Sequence, residues 1–202
     1  MLKIRCSQIG KIIANGKGNN ISSGAKTYVE EKIKERLYGT IKNFNSKYTE
    51  KGNLLEDDAI QFYAENSEFG LLFKNDEFFE NEYFTGTPDI ITKDEVIDIK
   101  TSWDYFTFPL LDDNLKNKDY YAQLHGYMEL TGKRKARLVY VLMDTPDHLD
   151  YDNDHISYEN VSPKLRIKEF KFEYNDEFMN DIKNKVKGCQ EYYNKLLKEL
   201  EK

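Results

Sequence analysis

Two carboxylates and one ammonium group are closely spaced in the stretch from Gly86 to Lys100. Asp89 follows a Gly-Thr-Pro turn, and Asp98 and Lys100 lie on an apolar run a few residues further on. Grouped carboxylates repel one another unless a cation offsets their charge, and hard oxygen ligands favour Mg²⁺, with Mn²⁺ as a substitute. An ammonium group beside them can stabilise a developing phosphorane, or orient and deprotonate a water molecule. The stretch therefore has the residue types that metal-assisted hydrolysis of a phosphodiester requires.

The sequence pattern of this stretch predicts a β-hairpin, which would bring the charged groups together on adjacent strands. A charged tip separates two short apolar runs, as in many hairpins. Because side chains alternate along a strand, Asp98 and Lys100 would share one face with Val96. Ile97 and Ile99 would then pack on the opposite face. Since the motif is short, a surface hairpin with solvated charges is the alternative interpretation.

The composition indicates one domain with a sizeable core. The chain has 202 residues, of which 39% are hydrophobic and 14% aromatic, and a domain of this length can bury an extensive interior. With 33% charged residues and a mean hydropathy of -0.77, it has no apolar run near the ~20 residues of a transmembrane helix. The N-terminus has no signal-peptide pattern. We therefore expect a cytoplasmic protein without a membrane partner.

Charge and cysteine usage exclude several classes of site. The formal net charge of -6 argues against a protein that coats DNA by bulk positive charge,, although basic groups concentrated in a groove remain compatible with it. Cys6 and Cys189 are too few for an iron-sulfur cluster or a zinc ribbon,. The three histidines have no zinc-ligand spacing,.

A predicted helix from about Tyr48 to Asn66 carries a third carboxylate, Glu56. The helical period turns a row of apolar residues inward, with Leu54 among them, and Glu56 borders this face. Gly52 and Ala59 are small, so the helix can approach another backbone closely and carry Glu56 toward the sheet. The alternative is an ordinary solvated glutamate.

A second predicted helix, Lys118 to Leu130, follows the hairpin and carries Gln123 and Tyr127. These residues are four apart and therefore lie on one face. A glutamine can orient a phosphate or a water molecule, and a tyrosine hydroxyl can bond the scissile strand. In the alternative, both have their polar ends at the surface. His125 lies off that face, and we interpret it as structural.

An aromatic loop links the hairpin to this helix and contains Trp103, Tyr105 and Phe106. Such side chains can stack on the bases of a DNA end, where each stack contributes ~1 to 3 kcal/mol. They can equally close the core over the helix that follows.

The ordered set of motifs resembles the PD-(D/E)XK nucleases, and within them the phage lambda exonuclease-like (YqaJ-type viral recombinase) family. The matching motifs, in chain order, are Gly52-x-x-x-Glu56-x-x-Ala59, Pro88-Asp89, Asp98-Ile99-Lys100 and Gln123-x-x-x-Tyr127. The resemblance covers the chain from about Ser7 to Met143. It departs from many relatives in having Asp98 in place of glutamate, which the motif tolerates.

This resemblance implies a fold and a set of site residues. The fold would be α/β (α+β), with a restriction-endonuclease-like core, a central mixed β-sheet flanked by helices, and a single nuclease domain over residues 1–202. The implied catalytic residues are Lys100, Asp98, Asp89, Glu56, Gln123 and Tyr127. Asp89, Asp98 and the Ile99 carbonyl would bind Mg²⁺, and Glu56 would hold a second ion or its water.

The resemblance also implies a substrate and partners. The family hydrolyses one strand of double-stranded DNA ends from 5′ to 3′, as a homotrimer that works with a single-strand annealing protein in recombination. Arg5 and Ser7 occupy the place of a Thr-Ala-Ser segment that helps to hold the DNA 5′-phosphate, and Trp103 is a further DNA-contact candidate. Two alternatives stay open: a PD-(D/E)XK endonuclease or junction resolvase, and a non-catalytic DNA- or protein-binding module that retains the fold. Either a phage protein in its bacterial host or a bacterial protein would act in the cytoplasm.

Overall fold

The computed structural model describes residues 1–13, 21–41, 46–150 and 156–202. Its helices are α1 (Gly10–Ile13), α2 (Ser23–Tyr38), α3 (Lys47–Glu65), α4 (Lys118–Thr131) and α5 (Asp176–Leu200). Its strands are β1 (Ile4–Arg5), β2 (Phe79–Glu80), β3 (Phe84–Gly86), β4 (Ile90–Ile91), β5 (Val96–Ser102), β6 (Lys135–Leu142) and β7 (Ile167–Glu173). Short 3₁₀ turns lie at Cys6–Gln8, Asp147–Leu149 and Pro163–Leu165.

The strands form a central mixed sheet and a smaller one beside it. The central sheet has the order β4-β5-β6-β7, with β5 and β6 parallel and the two outer pairs antiparallel. The smaller sheet has the order β1-β3-β2. The predicted hairpin is confirmed as β4 and β5, and β6 is an inner strand of the central sheet. The α4 helix forms the crossover between the parallel strands β5 and β6, as such connections require.

Both faces of the central sheet are covered, so the core has two halves. Ile97 and Ile99 are buried against Ala59 and Tyr63 of α3 on one face. On the other face Val96 belongs to a larger apolar cluster, which also takes in residues from α1, α2, α4 and α5. This is the alternation predicted for β5, and it confirms a central mixed sheet flanked by helices. Asp98 and Lys100 consequently lie on the α4 side.

The helix boundaries follow from local chemistry. The Ser22 hydroxyl accepts a hydrogen bond from the Ala25 amide at 3.1 Å and caps the start of α2,. Gly39 ends that helix with a φ of 64°, in the left-handed region that glycine tolerates best. Ser46 and Asn117 cap α3 and α4 in the same way as Ser22.

One expectation for α3 is wrong. Leu54 was expected to face inward, but 52% of its surface is exposed, because it lies five residues from the buried Ala59 and is turned well away from it around the helix. Lys51 is buried instead, with 1% exposed.

A buried arginine on β6 links the central sheet to the segments around it. Arg137 on β6 is 5% exposed. Its guanidinium lies 2.7 Å from Glu95 at the hairpin tip and 2.9 Å from Glu169 on β7. It also donates to the Tyr63 hydroxyl of α3 at 2.9 Å and pairs with Glu68 at 2.8 Å. A buried charge is tolerated only when it is paired and hydrogen-bonded, and here four segments supply the partners.

Among the described helices none combines the length and the apolar character that crossing a membrane would need.

Candidate active site

The short length of β4 leaves part of the neighbouring strand edge open. Pairing of β4 is limited to Ile97 and Val96 at the start of β5, so in the described chain no strand pairs with this edge beyond Ile97. Asp89, directly before β4, reaches across and accepts a hydrogen bond from the Ile99 amide on Oδ2 at 2.8 Å. The N–H and C=O of one strand residue point to the same edge. The Ile99 carbonyl therefore faces the side on which Asp89 lies.

Asp98 is held from two directions on the α4 face of β5. It is 1% exposed. Gln123 donates from Nε2 to Asp98 Oδ1 at 3.0 Å, and the Lys100 Nζ lies 2.6 Å from Asp98 Oδ2. Apart from that ion pair, Oδ2 is buried without a hydrogen-bond partner among the described residues. An additional ligand at this oxygen would satisfy it.

Tyr127 completes this group one helical turn further along α4. Its hydroxyl accepts a hydrogen bond from the Gln123 Nε2 at 3.0 Å, and burial raises the pKa of its phenol well above the ordinary range. The hydroxyl therefore stays protonated near neutral pH. Gln123 and Tyr127 share one face as predicted, and that face is directed at Asp98 and not at the surface.

When both aspartates are ionised, they carry more negative charge than Lys100 neutralises. Burial, followed by the charge of Asp98, raises the pKa of Asp89 from 3.8 to about 8, against the opposing effects of Lys100 and of the Ile99 amide. Burial disfavours the charge of Lys100, but Asp98 and Asp89 outweigh it and raise the pKa of the ammonium above its usual value. Lys100 is therefore a cation at neutral pH, and the pair of carboxylates favours binding of a further cation.

A cavity of about 610 Å³ is lined by predicted site residues from four segments, whereas Asp98, Tyr127, Arg5 and Trp103 are not among its lining residues. Glu56 comes from α3, Asp89, Ile99 and Lys100 come from the hairpin, and Gln123 comes from α4. Ser7 reaches the same cavity from the N-terminal segment. The remaining lining residues are Tyr48, Thr49, Gly52, Asn53, Thr101, Tyr120 and Tyr140.

The donors at the open edge suit a hard divalent cation, although Glu56 is directed elsewhere. The unsatisfied Asp98 oxygen, the Asp89 carboxylate and the Ile99 carbonyl are the oxygen types that Mg²⁺ prefers. The Glu56 Oε2 lies 3.4 Å from the Lys74 Nζ, with 27% of the glutamate side chain exposed. Within the described ranges no group of three or more acidic, histidine or cysteine side chains is arranged to hold a metal ion. Metal ligation by Glu56 therefore stays a prediction.

A smaller pocket of about 320 Å³ adjoins the cavity at Ser7. Arg5, Thr85 and Thr87 line it together with Tyr127 and Ser7, so its lining residues carry one guanidinium and four hydroxyl groups. Phosphate oxygens accept hydrogen bonds from groups of these types. The roles of Arg5 and Ser7 stay predictions, but both residues border the predicted site.

Two glycines allow the N-terminal segment to pack closely beside α4. A Cβ at Gly126 would lie 2.7 Å from the Cys6 Sγ, and a Cβ at Gly86 would lie 2.8 Å from Tyr127 Cε1. Larger residues at these positions would force the backbone apart. The close packing keeps Ser7 within reach of the cavity, and it explains the buried Cys6 as a packing residue.

The aromatic loop after β5 has both buried and exposed rings, and Tyr105 and Phe106 do not close the core. Trp103 is partly buried and meets Tyr48 edge-on, with ring centroids 5.1 Å apart. Tyr105 and Phe106 are 51% and 80% exposed and pack on each other at 4.1 Å. Phe108, at 6% exposed, is the residue that closes the core. The Trp103 ring adjoins the cavity through Tyr48, which lines it.

Sequence reasoning missed a buried lysine that supports the site. The Lys51 Nζ donates to the Trp103 carbonyl at 2.7 Å, the Met143 carbonyl at 2.7 Å and the Thr145 hydroxyl at 3.0 Å. Burial lowers the pKa of this ammonium to about 8. Lys51 thus joins α3 to the ends of β5 and β6. Its position on the inward stripe of α3 was the available signal, but its charge argued for the surface.

A second missed residue, Asn75, supports the turn that carries Asp89. The Asn75 amide donates to the Asp89 carbonyl at 2.7 Å, and its side chain donates to the Pro88 carbonyl at 2.9 Å. Asn75 lies in an irregular segment without a periodic pattern, so the sequence offers no signal for this role.

Comparison with solved structures identifies two similar proteins. A phage-related exonuclease from Haemophilus somnus 129PT has a TM-score of 0.88 and 34% sequence identity, over 98% of this chain and 96% of that one. An alkaline exonuclease from Laribacter hongkongensis, also solved in complex with dAMP, has a TM-score of 0.74 and 17% identity, over 98% of this chain and 91% of that one. The second likeness concerns the fold alone. Neither a scan against protein-family models nor a search of the curated proteins finds a match.

Proposed function

We propose a specific activity for this chain, which belongs to the phage lambda exonuclease-like family of PD-(D/E)XK nucleases. It is a Mg²⁺-dependent exonuclease that degrades double-stranded DNA from 5′ to 3′. Mn²⁺ would substitute for Mg²⁺, and a second ion would bind at Glu56. The activity would supply single strands for recombination by strand annealing, in the cytoplasm of a bacterial host.

One observation carries the proposal. Asp89 and Asp98 converge at the open edge of β5, and the Lys100 ammonium lies 2.6 Å from Asp98. The site combines hard oxygen donors with one fixed positive charge, inside a cavity large enough for a phosphodiester and its neighbouring nucleotide,. When bound there, Mg²⁺ would polarise the phosphate and lower the pKa of a coordinated water.

The protein groups around this site have separable roles. Lys100 is charged at neutral pH, so it would donate hydrogen bonds to the attacking water or to a phosphate oxygen and stabilise the negative charge that develops during attack. Gln123 fixes the rotamer of Asp98, and the Tyr127 hydroxyl fixes Gln123 in turn. These buried contacts keep the carboxylate oriented without reorganisation during the reaction.

The adjoining pocket would receive the end of the DNA strand. Arg5 and Ser7 would hold a 5′-phosphate there. Asp89 and Lys100, in the adjoining cavity, would then act on the next phosphodiester of the same strand. Trp103, with Tyr48, would stack against an unpaired base at the cavity rim. A DNA end is thus the proposed substrate, and a homotrimer with a single-strand annealing protein as partner is the proposed assembly.

Digestion of end-labelled linear duplex tests the activity. We expect Mg²⁺-dependent release of nucleotides from a 5′-phosphorylated linear duplex, loss of this release with a chelator, and no cleavage of closed circular duplex. Lys100→Ala should abolish release, whereas Lys135→Ala, which changes an exposed lysine of β6, should digest DNA at the rate of the unaltered protein.

Other outcomes of the same assay would redirect the assignment. Cleavage of the closed circle would indicate an endonuclease or a junction resolvase. Absence of hydrolysis on every DNA with either Mg²⁺ or Mn²⁺ would indicate a non-catalytic binding module. Light scattering tests the assembly separately, because a monomer at all micromolar concentrations would contradict the trimer.

A further inference from the structure

We propose that Lys74 competes with a divalent cation for the Glu56 carboxylate and thereby sets how tightly the site binds metal. The inference rests on the proposed function, since it assumes that a cation binds beside Asp89 and Asp98. It assigns a role to a lysine outside every motif that the sequence offers.

The Glu56 carboxylate lies between two alternative positive partners. Glu56 lines the cavity that contains Asp89 and Lys100. Its Oε2 is 3.4 Å from the Lys74 Nζ, and Lys74 lines a neighbouring cavity of about 580 Å³ beside the following turns of α3. A cation at the aspartates would attract the same carboxylate. Because the carboxylate carries a single negative charge, each of these partners would reduce the attraction that the other gains from it.

Lys74 is held in place by its neighbour in sequence. Asn75 is fastened to the hairpin by its hydrogen bonds to the Pro88 and Asp89 carbonyls. The backbone that carries Lys74 is therefore fixed relative to Asp89. This attachment distinguishes Lys74 from a surface lysine on a flexible tip, because its distance from the site is set by the same turn that presents the first carboxylate.

Lys74 has a second acidic partner, so little free energy is lost when Glu56 leaves it. Its Nζ lies 2.9 Å from the Asp57 Oδ1, closer than it lies to Glu56. If Glu56 turns toward a cation, Lys74 keeps an ion pair. The Lys74 side chain is also 37% exposed, and ion pairs of this exposure are weak. Because the ion pair of Glu56 with Lys74 is weak, a single substitution should change how readily Glu56 binds a cation.

Metal binding in the absence of DNA provides a direct test. Binding of Mn²⁺ to the full chain would be followed by electron paramagnetic resonance of the free ion. Lys74→Met should tighten binding by about three- to fivefold, the range expected for removal of a weak ion pair. In a Glu56→Gln background the same substitution should have no effect, because its action passes through Glu56. This double-mutant cycle separates the competition from a general effect of removing a positive charge.

A neighbouring substitution should act in the opposite direction. Asp57→Asn removes one of the two ion pairs of Lys74 and leaves the pair with Glu56. Lys74 should then hold Glu56 more strongly, so Mn²⁺ binding should weaken. Asp58→Asn makes the same change of charge one residue further along α3, at an exposed position, and should weaken binding less.

Three results would overturn the inference. The first is an equal Mn²⁺ affinity for the Lys74→Met variant and the unaltered protein. The second is an equal change in Mn²⁺ affinity when Lys74→Met is made in the unaltered protein and in the Glu56→Gln variant. The third is weaker Mn²⁺ binding by a Lys74→Met protein whose thermal unfolding is unchanged. If the unaltered protein binds Mn²⁺ and digests DNA while one of these results is obtained, the inference alone fails. If the unaltered protein neither binds Mn²⁺ nor digests DNA, the proposed function fails as well.

Discussion

The Gln123 side chain on α4 donates a hydrogen bond to Asp98 on β5, with 3.0 Å between Nε2 and Oδ1. The same nitrogen donates to the Tyr127 hydroxyl. Since the other Asp98 oxygen faces Lys100, the carboxylate is oriented on one side by a helix and on the other by its own strand. The orientation of Asp98 therefore depends on the crossover connection that places α4 over β5.

Replacing Gln123 tests this orientation. Gln123→Met should lower the single-turnover rate of DNA cleavage by about 10- to 100-fold, the range typical for groups that orient a metal ligand, because Asp98 loses its hydrogen bond. Tyr127→Phe keeps the bond between Gln123 and Asp98 and should cost much less. Equal losses for the two variants would contradict the separate roles assigned to them.

Lys100 should matter for cleavage far more than for binding DNA. Lys100→Met removes the charge that we propose to face the reacting phosphate, and the cleavage rate should fall by about 10²-fold or more. Duplex binding, measured by fluorescence anisotropy with Ca²⁺ in place of Mg²⁺, should change little, because most binding energy comes from contacts along the backbone. The exposed Lys135 provides the matched control, since Lys135→Met should leave both measurements unchanged. Loss of binding together with cleavage would assign Lys100 to substrate recognition.

Asp89 should make stability fall as the pH rises. The pKa of this carboxyl is about 8 in the folded protein and 3.8 in the reference state, so between these values the folded state binds a proton that the unfolded chain has released. Under this condition the free energy of unfolding decreases with increasing pH. Without divalent cations the melting temperature should therefore be lower at about pH 9 than at about pH 6.

Asp89→Asn should remove most of that difference, since asparagine does not titrate. Asp58→Asn, on the surface of α3, is the control and should leave the pH dependence unchanged. A cation that replaces the proton should bind more tightly as the pH approaches 8, which calorimetric titration with Mg²⁺ would measure. A pH-independent melting temperature would show that Asp89 is ionised in the folded protein at acidic pH.

Arg137 should be a stability residue and not a catalytic one. Arg137→Met leaves Glu95 and Glu169 without their buried counter-ion, and breaking a buried ion pair of this kind costs about 3 to 5 kcal/mol in the free energy of unfolding. Urea denaturation would measure the loss. Arg134→Met breaks the exposed pair with Asp176 and should have no measurable effect. A stable Arg137→Met protein would show that the carboxylates find other partners.

Local chemistry was enough to predict much of the fold and part of the site. The alternation of β5 predicted that Asp98 and Lys100 share a face opposite Ile97 and Ile99, and the two hydrophobic clusters confirm it. Ser22 and Gly39, residue types typical of helix ends, lie at the two ends of α2,. These features depend on periodicity and capping, which neighbouring residues determine.

The placement of charged residues from separate segments could not be predicted in the same way. Lys51 and Arg137 are charged side chains that the sequence assigns to solvent by default, but both are buried,. A charge is buried only where distant segments supply partners for it, and here those partners come from β5, β6, β7 and the hairpin.

The sequence by itself determined which residues could perform the chemistry, because their types and their order along the chain already match metal-assisted phosphodiester hydrolysis. The tertiary structure decided how those residues are held: Gln123 on Asp98, Asp89 on the Ile99 amide, and Glu56 on Lys74. The physical reason is that each of these contacts joins segments that packing of the sheet and helices brings together, and hydrogen bonds and ion pairs act over only a few ångströms.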